Sequence, residues 1–489
     1  MLHPRFENTY ARLPARFYTR TEPTPVKLPR LIRFNAALAE ELGIEVDAGD
    51  EQGIAQALSG NRLMPGSEPL AMAYAGHQFG QFVPQLGDGR AILLGEVRAR
   101  DGMLRDIHLK GAGRTPFSRG GDGRAALGPV LREYVVSEAM TALGIPSTRS
   151  LAAVASGDTV LREEPLPGAI LTRIAASHVR VGTFQYFQAR EDVDAVRTLA
   201  DYVIGRHYPD ITSAANKYLE LLNGVMRRQA SLVAKWLQVG FIHGVMNTDN
   251  YSISGETIDY GPCAFMDVYD ANQVFSSIDR HGRYAYSNQP AIAQWNLVRF
   301  AETLLPLIDA TQERAVEMAT ESINAFAAEV DRNWLQGMRA KLGLASEDPR
   351  DRDLAQNLLA IMQRTQADFT LTFRDLCSMA DSSEMRTQGA LGEDAEFRTW
   401  LADWKSRCAT EQQSGTARAA AMRAVNPLYI PRNHRIEELI VAAVERKDFA
   451  PFNTFLTVLA KPFDEQPEFE TYAAPPRPEQ RVQQTFCGT

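Results

Sequence analysis

Several groups in this 489-residue chain are of types that handle phosphate and divalent metal, and their order is informative. Lys110 closes an apolar stretch, a glycine-rich segment from Gly111 to Gly123 follows it, and Glu133 and Glu138 come next. Far downstream stand HGVMNTDN (His243 to Asn250) and Asp259-Tyr260-Gly261. An ammonium group neutralises phosphate as a point charge, glycines let backbone approach phosphate oxygens, and Asn and Asp oxygens are hard donors for Mg2+. Taken singly, each has a plain explanation: a lysine at a strand end is usually solvated, and Asn and Asp are turn formers. Their order carries the reading.

Elements must bring these groups together. Ala91 to Val97 and Arg105 to Lys110 read as strands joined by a turn at Asp101-Gly102, a hairpin that ends on the lysine. Pro129 opens a helix that runs to about Leu143 and stops at Gly144 and Pro146. It carries both Glu133 and Glu138, which periodicity does not separate. A longer helix is expected from about Ser213 to Val239, with Tyr218, Leu221, Leu222 and Val225 on one face and Gly240 as its stop. A loop, a short strand, a turn at Ser254-Gly255 and a second strand then lead to Asp259. Helix resumes near residue 290 and dominates 310–460, while the first 60 or so residues read as an extension and the tail from Gln466 to Thr489 as irregular.

Composition sets the class. Hydrophobic residues make up 45% and charged residues 23%, ordinary for a globular chain and enough for a sizeable core. The net charge of −8 supplies no basic field for a phosphate backbone or an anionic membrane, so neither nucleic acid nor a membrane is an expected partner. No apolar run approaches the ~20 residues of a spanning helix, and the N-terminus lacks a secretory stretch. The reading is a soluble, cytoplasmic protein, with nothing that demands more than a monomer. Cys263, Cys377, Cys408 and Cys487 are widely spaced, with no zinc pattern.

Protein kinases present the same order: a strand lysine paired with a helix glutamate, then an Asn and a DFG aspartate that hold Mg2+. HGVMNTDN aligns with HRDxxxxN, and Asp259-Tyr260-Gly261 sits where DFG would be. The kinase catalytic aspartate, however, falls on Val245, which can neither accept a proton nor position a hydroxyl. Asp249 is the nearest carboxylate, a substitute base or an orienter. A displaced base beside intact nucleotide equipment points to altered chemistry.

The chain resembles the selenoprotein O family of kinase-like protein adenylyltransferases over essentially its full length. The segments that carry the likeness are GHQFGQFVPQLGDGRA (Gly76 to Ala91), HLKGAGRTPFSRGGDGRA (His108 to Ala125), LTRIAASHVRVGTF (Leu171 to Phe184), HGVMNTDN, DYGPCAFMD, NPLYIPRNH (Asn426 to His434) and the terminal TFCGT. The resemblance implies an α+β, protein-kinase-like two-lobed fold with an N-terminal extension (1–60), a small lobe (61–165), a second lobe (166–330) and a helical C-terminal extension with its tail (331–489). It implies transfer of AMP from ATP to Ser, Thr or Tyr hydroxyls of target proteins, with ATP reversed in the cleft and Mg2+ or Mn2+ as the metal. It makes Lys110 a phosphate-binding cation paired with Glu133 rather than Glu138, Asn250 and Asp259 the metal ligands, and Asp249 the proton acceptor. Gly87, Gly89, Arg90, Asp122 and Gly123 would line the nucleotide, with Asp259 beside it, and Arg173 and Arg180 would clamp phosphates.

His243 is read as holding the loop backbone, and His77 and Trp295 as packing residues. The family also implies a disulfide from the tail to the segment after the DFG position. Cys487 fits one end, but no cysteine stands near Phe275, so a Cys263–Cys487 bridge and a simply buried Cys263 both stay open. Two rivals remain to adenylyl transfer: a kinase moving the γ-phosphoryl group, and a non-catalytic ATP-binding scaffold.

Overall fold

The computed structural model describes residues 2–381 and 390–486. The expected hairpin forms as Ala91–Arg98 and Leu104–Lys110, antiparallel, and lies in the middle of an eight-stranded sheet. Across the sheet the order is Tyr18–Arg20, Leu70–Met72, Ala91–Arg98, Leu104–Lys110, Pro165–Ala175, Arg149–Leu161 and Arg30–Phe34, with Ala125–Ala126 added beside Pro165–Ala175. The first 60 residues are woven into this sheet and supply both ends of that order.

Strand Ala91–Arg98 is buried on both faces, so its side chains alternate between two cores. Leu93 faces the core shared with helix Leu127–Ala142, whereas Ile92 and Leu94 face a second core closed by helices Ala36–Glu41 and Glu51–Leu58. The Leu127–Ala142 helix begins two residues before Pro129, which occupies its first turn, where a missing N–H costs nothing. Its outer side is covered by helices Asn433–Arg446 and Ala450–Leu459, through an edge-on contact of Tyr134 with Phe452 and an Arg132–Glu437 ion pair.

The remainder is helical. Lys217–Val239 is capped by the Asn216 side chain, which accepts from Leu219 N, and ends at Gly240 in the left-handed conformation. Phe241–Ile242 then pairs with Ala264–Phe265, and the loop between these two short strands carries the candidate metal and base residues. Helices Gln289–Ile308 and Gln312–Lys341 pack beside the long helix, and further helices follow to residue 459. Beyond Gln466, among the described residues, only single turns of helix appear. No helix among the described residues is long and apolar enough to cross a membrane.

The strand pair expected between Asn250 and Asp259 does not form. Ser252 bridges to Arg180 and Thr257 to Ser147, and Ile253 N donates to Val179 O while Thr257 N donates to Pro146 O. Each half of the segment is thus satisfied by a different neighbour, which leaves no backbone groups for a local ladder.

Two stability predictions arise here. Arg432, in the NPLYIPRNH segment, is fully buried and ion-paired to Asp267, just after the DYG, and to Asp368 at 2.9 Å. Removing one partner of such a network strands the other charges, so Arg432→Ala should cost about 3–5 kcal/mol in urea unfolding. A change below about 1 kcal/mol would show the network to be incidental.

The second concerns Glu256, whose carboxylate accepts from Ala176 N at 2.9 and 3.2 Å and from Ser254 Oγ at 2.8 Å. Burial pushes its carboxyl up to about 7, from an ordinary value of 4.5. A carboxyl raised on folding contributes stability that is fully present below the unfolded value and is lost as pH rises through the folded one. Between pH 4.5 and 7 the wild type should therefore lose on the order of 2 kcal/mol relative to Glu256→Gln. Parallel stability–pH curves for the two proteins would refute this.

Candidate active site

Lys110 and Arg173 lie on adjacent strands, Lys110 opposite Leu171 and Arg173 opposite His108, so they are diagonal neighbours on one face of the sheet. Glu133 of the covering helix reaches between them. It accepts from Lys110 Nζ at 2.5 Å and from Arg173 Nε at 2.7 Å. Asp259 completes the set: its Oδ1 accepts from Lys110 and, at 3.2 Å, from Arg173. Burial pushes the Glu133 carboxyl up, but Arg173 and Lys110 outweigh it and hold it down. Burial acts likewise on Asp259, and Lys110, Arg173 and Arg90 hold that carboxyl well below its usual range. Glu138 turns elsewhere, to Arg149, Asn35 and the backbone of Ser150, so geometry separates the two glutamates that periodicity left equivalent.

These groups sit at a cavity of about 780 Å³. Gly87, Gly89, Arg90, Lys110, Asp122, Gly123, Arg173, Arg180, Asp249, Asn250 and Asp259 all line it, and Glu133 stands behind Lys110. Eight Arg or Lys side chains line this cavity against four Asp, in a chain whose net charge is −8. That local excess suits a polyanion.

Individual residues differ from simple expectation. Arg173, expected on phosphates, is bonded to Glu133 and Asp259 and is 4% exposed. Asp122 is taken up by Arg162 and by the Arg124 backbone N–H. The glycines meet protein first: a Cβ on Gly87 would lie 2.2 Å from the Phe117 ring, and one on Gly123 2.1 Å from Gly113 O. They let the 87–89 and 111–123 loops pack backbone against backbone, with Thr115 Oγ1 donating to Asp88 O at 2.7 Å. Only Gly120 in this loop has open space around its Cα.

Asp249 lies in a single helical turn, Thr248–Asn250. Burial pushes its carboxyl up to about 6, against the pull of Arg180. Its Oδ2 accepts from Gln78 Nε2 at 3.4 Å, and its buried Oδ1 has no hydrogen-bond partner. Gly76 makes room for it, since a Cβ there would come within 2.9 Å of Oδ1. Arg180 donates to Asp249 O at 3.1 Å, stacks over the Tyr74 ring at 4.3 Å, and keeps a buried Nη2 without a hydrogen bond. Asn250 donates its amide to Val245 O at 3.1 Å, leaving the side-chain carbonyl oxygen for a cation.

His243 accounts for the loop's shape. Its Nε2 lies 3.0 Å from Ile258 O and its backbone N–H donates to Gln289 Oε1, tying the two ends of the loop together. His77 meets Trp295 edge-on at 5.3 Å, a packing contact, and its ring also bonds Gln185. Cys263 is buried with a thiol pushed up to about 12 by burial, and Cys377 and Cys408 are also buried and free. Cys487 lies outside the described residues.

Sequence reading missed several lining groups. Asn247 Oδ1 accepts from Phe79 N at 2.9 Å and from Tyr284 Oη at 2.7 Å. Asp88, within GDGR, is buried against His108 at 3.2 Å and accepts from Met72 N. Arg114 and Arg119, in the glycine-rich loop, add two of the cavity's cations. Only their place inside the quoted motifs could have marked them.

A family model described as protein adenylyltransferase SelO matches residues 1–460. The chain is 63% identical over 486 residues to "Protein nucleotidyltransferase YdiU" of Rhizobium rhizogenes, covering 99% of this chain and 97% of that protein. It is 60% identical over 490 residues to the protein of the same name from Rhodopseudomonas palustris, covering 100% of both. With that of Rhizobium meliloti it shares 59% over 487 residues, 99% of each.

Proposed function

The chain belongs to the protein adenylyltransferase SelO family, and from that premise we propose how its own residues transfer AMP from ATP to hydroxyls of other proteins. The observation that carries the reading is the cavity whose wall holds Lys110, Arg173 and Asp259, with Glu133 bonded behind them, together with the Asp249 carboxylate. The sheet, which takes its end strands from residues 1–60 and includes Pro165–Ala175, and the mainly helical segment that follows to about residue 330 act as two kinase-like lobes around the nucleotide. The boundaries expected at 60 and 165 thus give way to the sheet, and 331–489 is an extension.

Lys110 and Arg90, with Arg180, neutralise the triphosphate, while Glu133 holds Lys110 in register and Arg173 ties Glu133 to Asp259. Among the described residues, no three His, Cys, Asp or Glu side chains cluster as a protein-only metal site. Mg2+ needs no such cluster, because one or two protein oxygens with substrate phosphates suffice. Asn250 and Asp259 fit that need, and Mn2+ would use the same oxygens. When bound, the metal would stabilise charge on the phosphates.

The Asp249 carboxylate, which lines the cavity, takes the proton from a Ser, Thr or Tyr hydroxyl. The hydroxyl oxygen bonds to the α-phosphorus, the bond from that phosphorus to the bridging oxygen breaks, and pyrophosphate leaves. A protein hydroxyl on one side and ATP on the other account for both kinds of wall the cavity presents, cationic loops and the Asp249 turn.

The test is transfer of label to candidate proteins from α-labelled and, separately, from γ-labelled ATP. Label from the α position alone is expected. Label from the γ position alone would make this a kinase, and neither, despite ATP binding, a scaffold.

A further inference from the structure

The geometry points to the hairpin of Gly76–Gln78 and Gln81–Val83, with Phe79 at its tip, as the selector of acceptor proteins. It favours those with an apolar side chain beside the reacting hydroxyl. This rests on the adenylyl-transfer reading above.

The hairpin is bolted to the turn that carries Asp249. His77 N donates to Thr248 Oγ1 at 2.7 Å, Phe79 N to Asn247 Oδ1 at 2.9 Å, and Gln78 Nε2 to Asp249 Oδ2 at 3.4 Å. The tip therefore moves only with the proton acceptor. Phe79 adopts φ +52°, a left-handed conformation that is strained for a bulky L-residue and that glycine would adopt freely. Such a placement persists only where surrounding bonds enforce it, and it clusters at functional sites. Here it holds a large aromatic ring at the cavity wall, edge-on to buried Tyr284 at 5.2 Å on one side and 36% exposed overall.

Ile278, 51% exposed, lines the same cavity, and Phe82, 39% exposed, stands on the returning strand of the hairpin. An acceptor whose hydroxyl reaches the Asp249 carboxylate in the cavity must lay its next residues close by, because an extended chain advances only about 3.3 Å per residue. They meet Phe79 and Ile278. Arg283 lies against Gly80 at the tip, so acidic neighbours need testing beside apolar ones.

The full chain, α-labelled ATP and synthetic peptides with one hydroxyl residue flanked by Leu, by Ser or by Glu decide the matter. The wild type is expected to favour Leu-flanked peptides at least 10-fold in kcat/KM. Phe79→Ala should bring that ratio to within about 3-fold of unity by raising the KM for Leu-flanked peptide, with the KM for ATP unchanged. Phe79→Leu, which keeps an apolar side chain, should retain most of the preference. The proposal is overturned if the wild type transfers AMP without preference, if it prefers Glu-flanked peptides, or if Phe79→Ala slows all peptides equally or raises the KM for ATP. If the wild type labels no peptide and no protein, the parent reading falls with it.

Discussion

Asp259→Ala lowers AMP transfer by at least about 10²- to 10³-fold, the cost of losing one fixed electrostatic stabiliser at the reacting phosphates. In the structure this carboxylate joins Lys110 and Arg173, so its loss leaves two cations sharing Glu133 alone. The cavity becomes more positive, and binding of metal-free ATP should not weaken. The damage should appear in kcat and in a higher Mg2+ concentration for half-maximal rate, both read from initial-rate assays. Asp259→Asn keeps the shape and loses the charge, so it should behave like the Ala variant in rate. Full activity in either protein would remove Asp259 from the reaction.

Asp249→Asn should reduce kcat by about 10² to 10⁴, the range for a positioned general base. The replacement is isosteric and its amide can still meet Gln78, so ATP affinity, measured by calorimetry with a non-hydrolysable analogue, should hold. Stability should move in the opposite direction to activity. A partly buried carboxylate whose Oδ1 has no hydrogen bond is unfavourable to folding, and neutralising it should leave the melting temperature unchanged or higher. A variant that lost rate and stability together would identify Asp249 as a structural turn residue.

Much of the site was legible because it is local. The lysine strand, the glycine-rich loop, the glutamate helix and the Gly240 stop each have a short-range signature, and each formed within two or three residues of its expected position, apart from a later start to the long helix. The hairpin Arg149–Leu161 with Pro165–Ala175 has no such short-range signature. Its first strand, RSLAAVASGDTVL, is small-residue-rich and buried on both faces over much of its length, so it lacks the alternation that marks a half-exposed strand. Segment 250–259 failed for the converse reason. Its local pattern suggested a hairpin, and tertiary partners at Arg180 and Ser147 took the backbone groups instead.

Arg173 shows the same limit within the site. Its type suits phosphate, but only the register of the sheet reveals that it faces His108 across the ladder and meets two carboxylates. Glu133 and Glu138 likewise differ by what surrounds them, which no spacing along one helix can express.

The participation of the earliest residues in the sheet has a consequence for how the polypeptide is made. Arg30–Phe34 pairs with Ala152 to Ala155, so that strand waits on the ribosome for about 120 further residues, on the order of ten seconds at roughly 5–20 residues per second. Until then its edge is open to any other nascent chain. Expression hosts that translate this stretch slowly should therefore lose yield to aggregation before any enzyme exists to be assayed.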